Sequence, residues 1–158
     1  NLTGHYAIGF MALSEVSLAS FVIAVWLYYS DKLRLAMNIV EHTEQGILVT
    51  DTKGIIHTVN PAFTKITGYS ADEVIGRSPN ILKSGKQDAK FYKKMWTDIE
   101  ENGHWQGEIV NRRKDGQLYL QWLTISAIKN EAGDIEHYAG MFSDISTHKK
   151  YETTSRKA

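Results

Sequence analysis

The chain has 158 residues, with 18 basic and 18 acidic side chains and no cysteine. That length suits one ordinary domain with an appendage and is enough to bury a real core. Zero net charge argues against a dedicated nucleic-acid surface, and the lack of cysteine removes disulfides, thiolate metal sites and cysteine nucleophiles. The charge is unevenly spread: residues 1–30 hold one charged side chain, Glu15, and the other 35 lie in residues 31–158.

From Tyr6 to Tyr29, 19 of 24 residues are apolar or aromatic. A helix of this length spans about 36 Å at 1.5 Å per residue, against a bilayer core of roughly 30 Å. Trp26, Tyr28 and Tyr29 cluster at one end, where aromatic rings favour the headgroup layer, and Asp31, Lys32 and Arg34 follow. The pattern predicts a transmembrane helix within residues 1–30, with residues 31–158 on the cytoplasmic side of the inner membrane. Glu15 is the objection, because a mid-span carboxylate costs about 2.5–3.5 kcal/mol on insertion scales. A buried or dimerising helix using Gly9, Ala12, Ser17 and Ala19 is the alternative. No basic stretch precedes the apolar run, so a signal peptide fits poorly and a piece of a longer protein is expected.

Residues 31–45 read as a linker helix, with Leu33, Ala36, Met37 and Val40 on one stripe. Gly46–Asp51 and Ile55–Asn60 flank a Thr-Lys-Gly turn and predict a hairpin. Asn60-Pro61 is a helix start, Gly68 a plausible stop, and Ser70-x-x-Glu73 a capping box that opens a short helix closed by Gly76. Residues 78–88 show no period and read as irregular. Asp88 should cap an amphipathic helix carrying Phe91, Met95, Trp96 and Ile99, stopped by Asn102-Gly103. Three strands follow, Trp105–Lys114, Gln117–Asn130 and Ile135–Ile145, joined by short turns as an antiparallel meander. The segment 147–158 reads as the start of a solvated linker helix. The order predicts an α+β fold, a five-stranded antiparallel sheet with helices on one face, enclosing a small apolar space.

Over residues 35–148 the chain resembles the PAS family of sensor domains. The resemblance is carried by GILVTDTKGIIHTVNPAF, ITGYSADEVIGRSPNIL, HWQGEIVNRRKDGQLY and the closing HYAGMFSDIS. It implies a PAS domain with its PAC portion over residues 46–146, sensing a small ligand, a redox state or a partner. The signal would pass through flanking helices to a downstream diguanylate cyclase or histidine kinase output domain, with a homodimer formed by those helices. Asp144-Ile145-Ser146 resembles the family's exit motif, where the last strand becomes the output helix.

Flavin-binding members look most similar. In the light-sensing branch a G-R-N-C-R-F-L string supplies the photoreactive thiol, and here Pro79 of Gly76-Arg77-Ser78-Pro79-Asn80-Ile81-Leu82 takes the cysteine's place. Asn111 and Gln121 match amides that bond the flavin edge in that branch, while Phe142 replaces its last-strand glutamine. Redox-sensing members that hold FAD share Ile81, Leu82, Ser84 and Gly85, the helix Trp96, and the run from Trp105 through Gly107 to Asn111–Asp115. The resemblance thus implies a pocket of Trp96, Trp105, Asn111, Gln121 and Phe142 with FAD as its ligand. Trp105, Ile109 and Asn111 share one side of a strand by parity, so an aromatic and an amide can face one space. A core filled by its own side chains, serving a ligand-free dimerisation module, is the other reading.

The resemblance also disfavours haem, since haem-binding members usually take the proximal histidine from the long helix and Asp88–Glu101 contains none. His5, His42, His57, His104, His137 and His148 show no i, i+4 ligand pair, so no metal site is expected. Neither Lys83–Lys86 nor Arg113–Gly116 has phosphate-loop spacing, and no hydrolase elbow or kinase signature is present. No enzyme is expected within these residues, and the basic run Arg112–Lys114, offset by Glu108 and Asp115, makes no nucleic-acid platform.

Overall fold

A computed structural model of the chain describes residues 3–147, with side chains from residue 18 onward apart from residue 19. The chain divides into two units, residues 1–39 and residues 40–158. A helix, α1 (Thr3–His42), occupies the first and enters the second. Leu18, Phe21, Trp26, Leu33 and Met37 on it are exposed. Glu15, Gly9, Ala12, Ser17 and Ala19 lie outside the described side chains, as does the expected linker from His148 onward. Among the described residues no helix is long and apolar enough to cross a membrane, so the anchor expected over residues 6–29 draws no support from them.

In the second unit the alternation in GILVTD forms β1 (Gly46–Asp51), with Leu48 and Thr50 inward and Ile47 and Val49 outward. It pairs antiparallel with β2 (Ile56–Val59). Asp51 closes the turn between them: its Oδ1 accepts from the amides of Lys53 and Ile55, both at 2.9 Å. The Ile55 bond above all, helped by Lys53 and His57, holds this carboxyl below its ordinary range. Asn60 then caps α2 (Pro61–Thr67), accepting from Phe63 N at 2.9 Å, with Pro61 at the first helical position.

Ser70 opens α3 (Ala71–Val74), its amide and hydroxyl both donating to Glu73 Oε2. Residues 78–88 are more ordered than their composition predicts. Ser78 Oγ accepts from Asn80 N, Pro79 presets its own φ, and Pro79–Leu82 forms a single 3₁₀ turn that buries Leu82. Asp88 caps α4 (Ala89–Asn102), and Gly103 ends it at φ 77°, a left-handed conformation that a side chain would strain.

The remaining strands are β3 (His104–Arg112), β4 (Leu118–Lys129) and β5 (Ile135–Asp144). They form the expected meander, and β5 continues onto β1, giving the order β2-β1-β5-β4-β3 with all pairs antiparallel. Gly140 stands opposite Leu48, where an added Cβ would already touch the Leu48 side chain at 3.4 Å. The core of Ile56, Phe63, Val74, Ile99 and Phe142 is fully buried. Each such side chain contributes about 1.5–3 kcal/mol by leaving water.

A candidate ligand pocket

The segment from Gly76 to Ser84 ties both free edges of the sheet. At the β2 edge Ile56 N donates to Arg77 O and Gly76 N to Ile56 O, each at 2.9 Å. At the β3 edge Lys83 bridges Asn111, and Ser84 Oγ donates to Val110 O. The chain between therefore crosses the inner face of the sheet, and with α4 it borders a partly open cavity of about 480 Å³. That volume lies within the roughly 300–1,000 Å³ typical of small-molecule sites.

The sheet lines this cavity with Leu48 and Thr50 of β1, Ile109 and Asn111 of β3, Gln121, Leu123 and Ile125 of β4, and Tyr138, Gly140 and Phe142 of β5. Helix α4 adds Tyr92, Met95, Trp96 and Glu100, while Lys53 and Lys83 bring positive charge to the lining. Most of the wall is apolar. Its depth holds two buried amides, Asn111 at 6% and Gln121 at 2% exposure, and Gln121 Oε1 has no hydrogen-bond partner. A buried amide oxygen left unpaired costs about 1–3 kcal/mol. The cavity is thus polarised to receive a ligand N–H donor.

Four of the five residues expected at the site, Trp96, Asn111, Gln121 and Phe142, line this one cavity. Trp96 is 38% exposed and pairs edge-on with Tyr138, ring centroids 5.4 Å apart. Phe142 is fully buried, edge-on to Phe63, and its ring fills the space where a Cβ on Gly46 would stand at 2.4 Å. Trp105 does not line the cavity. It shares the inward parity of Ile109 and Asn111, but lies six residues from Asn111, near the start of β3. There its ring folds over Gly107 and packs against Phe91, centroids 5.8 Å apart.

Sequence reasoning missed Tyr92, Tyr138, Lys53 and Lys83. Tyr92 stands four residues before Trp96, so helical spacing on α4 carried the signal. The Tyr92 hydroxyl is buried without a partner, burial raises its pKa, and Lys83 Nζ lies 4.1 Å from its ring centroid.

The expected exit residues Asp144 and Ile145 lie outside this cavity, along a larger open depression of about 1,100 Å³ shared with α2 and the β3–β4 turn. It is the bigger hollow, but it is open to solvent, and Asp144 and Arg113 within it are already paired with each other. Arg113 also donates to Ile66 O. Asp144 Oδ1 accepts from Ser146 N, Ile145 N donates to Leu120 O, and Leu120 N to Ser146 Oγ, each at 2.9 Å. Burial pushes the Asp144 carboxyl up, but its bonds to Ser146 and Arg113 outweigh that and hold it below its ordinary range. Among the described residues no group of three or more His, Asp or Glu side chains could hold a metal ion.

A five-stranded antiparallel sheet, helices over one face and a partly open cavity with buried amides define an α+β module built around a small site. The family described as PAS fold matches residues 37–145, and the chain belongs to it. It is 36% identical over 112 residues to the nitrogen fixation regulatory protein of Klebsiella oxytoca, covering 71% of this chain and 23% of that protein. It is 30% identical over 109 residues to a blue-light-activated histidine kinase of Brucella anthropi, covering 67% and 22%. The crystal structure of a PAS domain from Colwellia psychrerythraea superposes with a TM-score of 0.68 at 25% identity, covering 72% of this chain and 97% of that one. The chain spans under a quarter of the length of the first two. It is a PAS module similar to those of regulatory and sensory proteins.

Proposed function

We propose that this chain is a sensory module that binds a flavin, FAD, in the cavity beneath α4 and relays its state through Asp144–Ile145 to an output domain of cyclase or histidine-kinase type. One observation carries the reading: Gln121 Oε1 is buried and unpaired beside Asn111 in a mostly apolar wall. A flavin ring offers a flat apolar body and a carbonyl and N–H edge, which suits that arrangement. Asn111 and Gln121 would hold the edge, with Trp96, Tyr138 and Phe142 as walls. When bound, the flavin would supply redox chemistry, and the chain supplies binding and orientation. No cysteine is present to form a covalent adduct, so the reading is redox or ligand sensing rather than thiol photochemistry. Catalysis would belong to the output domain.

The test is retention of cofactor. The purified 158-residue chain, mixed with FAD and desalted, should keep the flavin's visible bands. Asn111→Ala and Trp96→Ala should lower occupancy several-fold with little change in Tm. A wild-type chain that comes through desalting colourless removes the flavin reading. The second reading, a ligand-free interaction module, is favoured by Trp122 and Met141, both exposed on the outer sheet face. It predicts a colourless chain that sediments as a dimer.

A further inference from the structure

The polar groups of the cavity differ from one end to the other. At its depth Gln121 is 2% exposed and presents an unpaired amide oxygen, which needs a donor. The first turn of α4 offers the reverse. Tyr92 lines the cavity there, and its hydroxyl is buried without a hydrogen-bond partner. Burial raises that phenol's pKa, so at neutral pH it keeps its proton and remains a donor.

Lys83 stands over the same ring, its Nζ 4.1 Å from the centroid. It both lines the cavity and is exposed, which marks this side as the open end. Among the described residues it makes no ion pair. A π face attracts an ammonium but offers no carboxylate, so the N–H donors of Lys83 stay available to an acceptor. Lys53 of the β1–β2 turn adds a second positive charge to the lining and likewise has no ion-pair partner among the described residues. The one carboxylate among the described lining residues is Glu100. It stands eight residues beyond Tyr92, about 12 Å along α4, and does not neutralise this end.

We infer that Lys83 and Tyr92 form an anion subsite at the open end of the cavity, which takes a phosphate and makes the site select a phosphorylated ligand over its neutral parent. This deepens the reading of the cavity as the sensory site and rests on it. The ammonium lies above the ring and the hydroxyl at its rim, so the several oxygens of one phosphate can span both. Such bonds are charge-assisted, and a neutral hydroxyl tail forms only weaker ones. The two ends then fix the ligand's direction, with its N–H edge inward at Gln121 and its phosphate outward at Lys83. A solvated lysine that merely rests on a ring predicts no such selection.

The experiment compares FMN with riboflavin, which differ by the phosphate alone, on the 158-residue chain by quenching of flavin fluorescence. FMN should bind about tenfold tighter at low ionic strength, and added salt should narrow the gap. Lys83→Met should bring the ratio below about threefold. Tyr92→Phe keeps the ring under Lys83; it should weaken FMN several-fold while leaving riboflavin within about twofold. Equal affinity for the two flavins overturns the inference, as does a preference undiminished in either variant. If neither flavin binds, the flavin reading falls, and inorganic pyrophosphate decides the subsite alone. In an amide NMR titration it should shift Lys83 and Tyr92 saturably in the wild-type chain and not in Lys83→Met. Absence of a saturable shift at both amides overturns the subsite.

Discussion

Asn60 concentrates more of this domain's order than any apolar residue near it. Its Oδ1 accepts from Ile47 N at 2.8 Å and Phe63 N at 2.9 Å, while Nδ2 donates to Val40 O at 3.0 Å and Gln45 O at 2.9 Å. Two donors and two acceptors exhaust an amide's capacity. One buried side chain therefore joins the end of α1, the entry to β1 and the start of α2. Asn60→Ala should destabilise the fold by about 2–4 kcal/mol, since it leaves several buried backbone groups unpaired at about 1–3 kcal/mol each. Urea unfolding followed by tryptophan fluorescence measures this, and a loss below about 0.5 kcal/mol would remove Asn60 from the role. Asn60→Asp keeps both acceptors but sets an oxygen against the Val40 and Gln45 carbonyls, so it should cost at least as much at neutral pH. The Asn-Pro pair revealed the cap at Phe63. The other three bonds join segments that only the fold brings together, and no local pattern encodes them.

At the scale of elements, two ion pairs fasten the β3–β4 turn. Lys114 binds Glu73 of α3, and Arg113 binds Asp144 at the end of β5. Glu73 is held at about 2 against an ordinary value of 4.5, first by the Lys114 bond and then by the Ser70 amide. A depressed carboxyl contributes stability that is complete above its unfolded value and is lost as pH falls through its folded one. Tm should therefore decline from about pH 4.5 toward about 2. Lys114→Met should flatten part of that decline, and added salt should shrink the difference because the pair is exposed. An unchanged slope in Lys114→Met would sink this assignment. The elements themselves were legible: among the described residues, caps, turns and alternation located α2, α3, α4 and the five strands to within about two residues. The 3₁₀ turn at Pro79–Leu82 was not, because its order comes from Leu82 packing into the core as much as from Ser78 and Pro79.

For the whole chain, the division at residues 39 and 40 predicts that residues 40–147 fold alone. Such a chain should unfold in one cooperative transition with a Tm within about 5 °C of the 158-residue chain, as measured by circular dichroism. Loss of cooperativity would show that α1 belongs to the core. The charge distribution, the α+β class and the motifs of the family were determined by the amino-acid sequence alone, because periodicity and caps act over a few residues. Tertiary structure decided the rest. Inward parity put Trp105 and Asn111 on one side of β3, yet only the path of α4 decided that Trp105 packs against Phe91 while Trp96 faces the cavity. Likewise the contact between Tyr119 and Arg113, and the unpaired Gln121 oxygen, depend on which strands meet and in what register. Register is fixed by long-range packing of one buried face, which no short stretch of sequence contains.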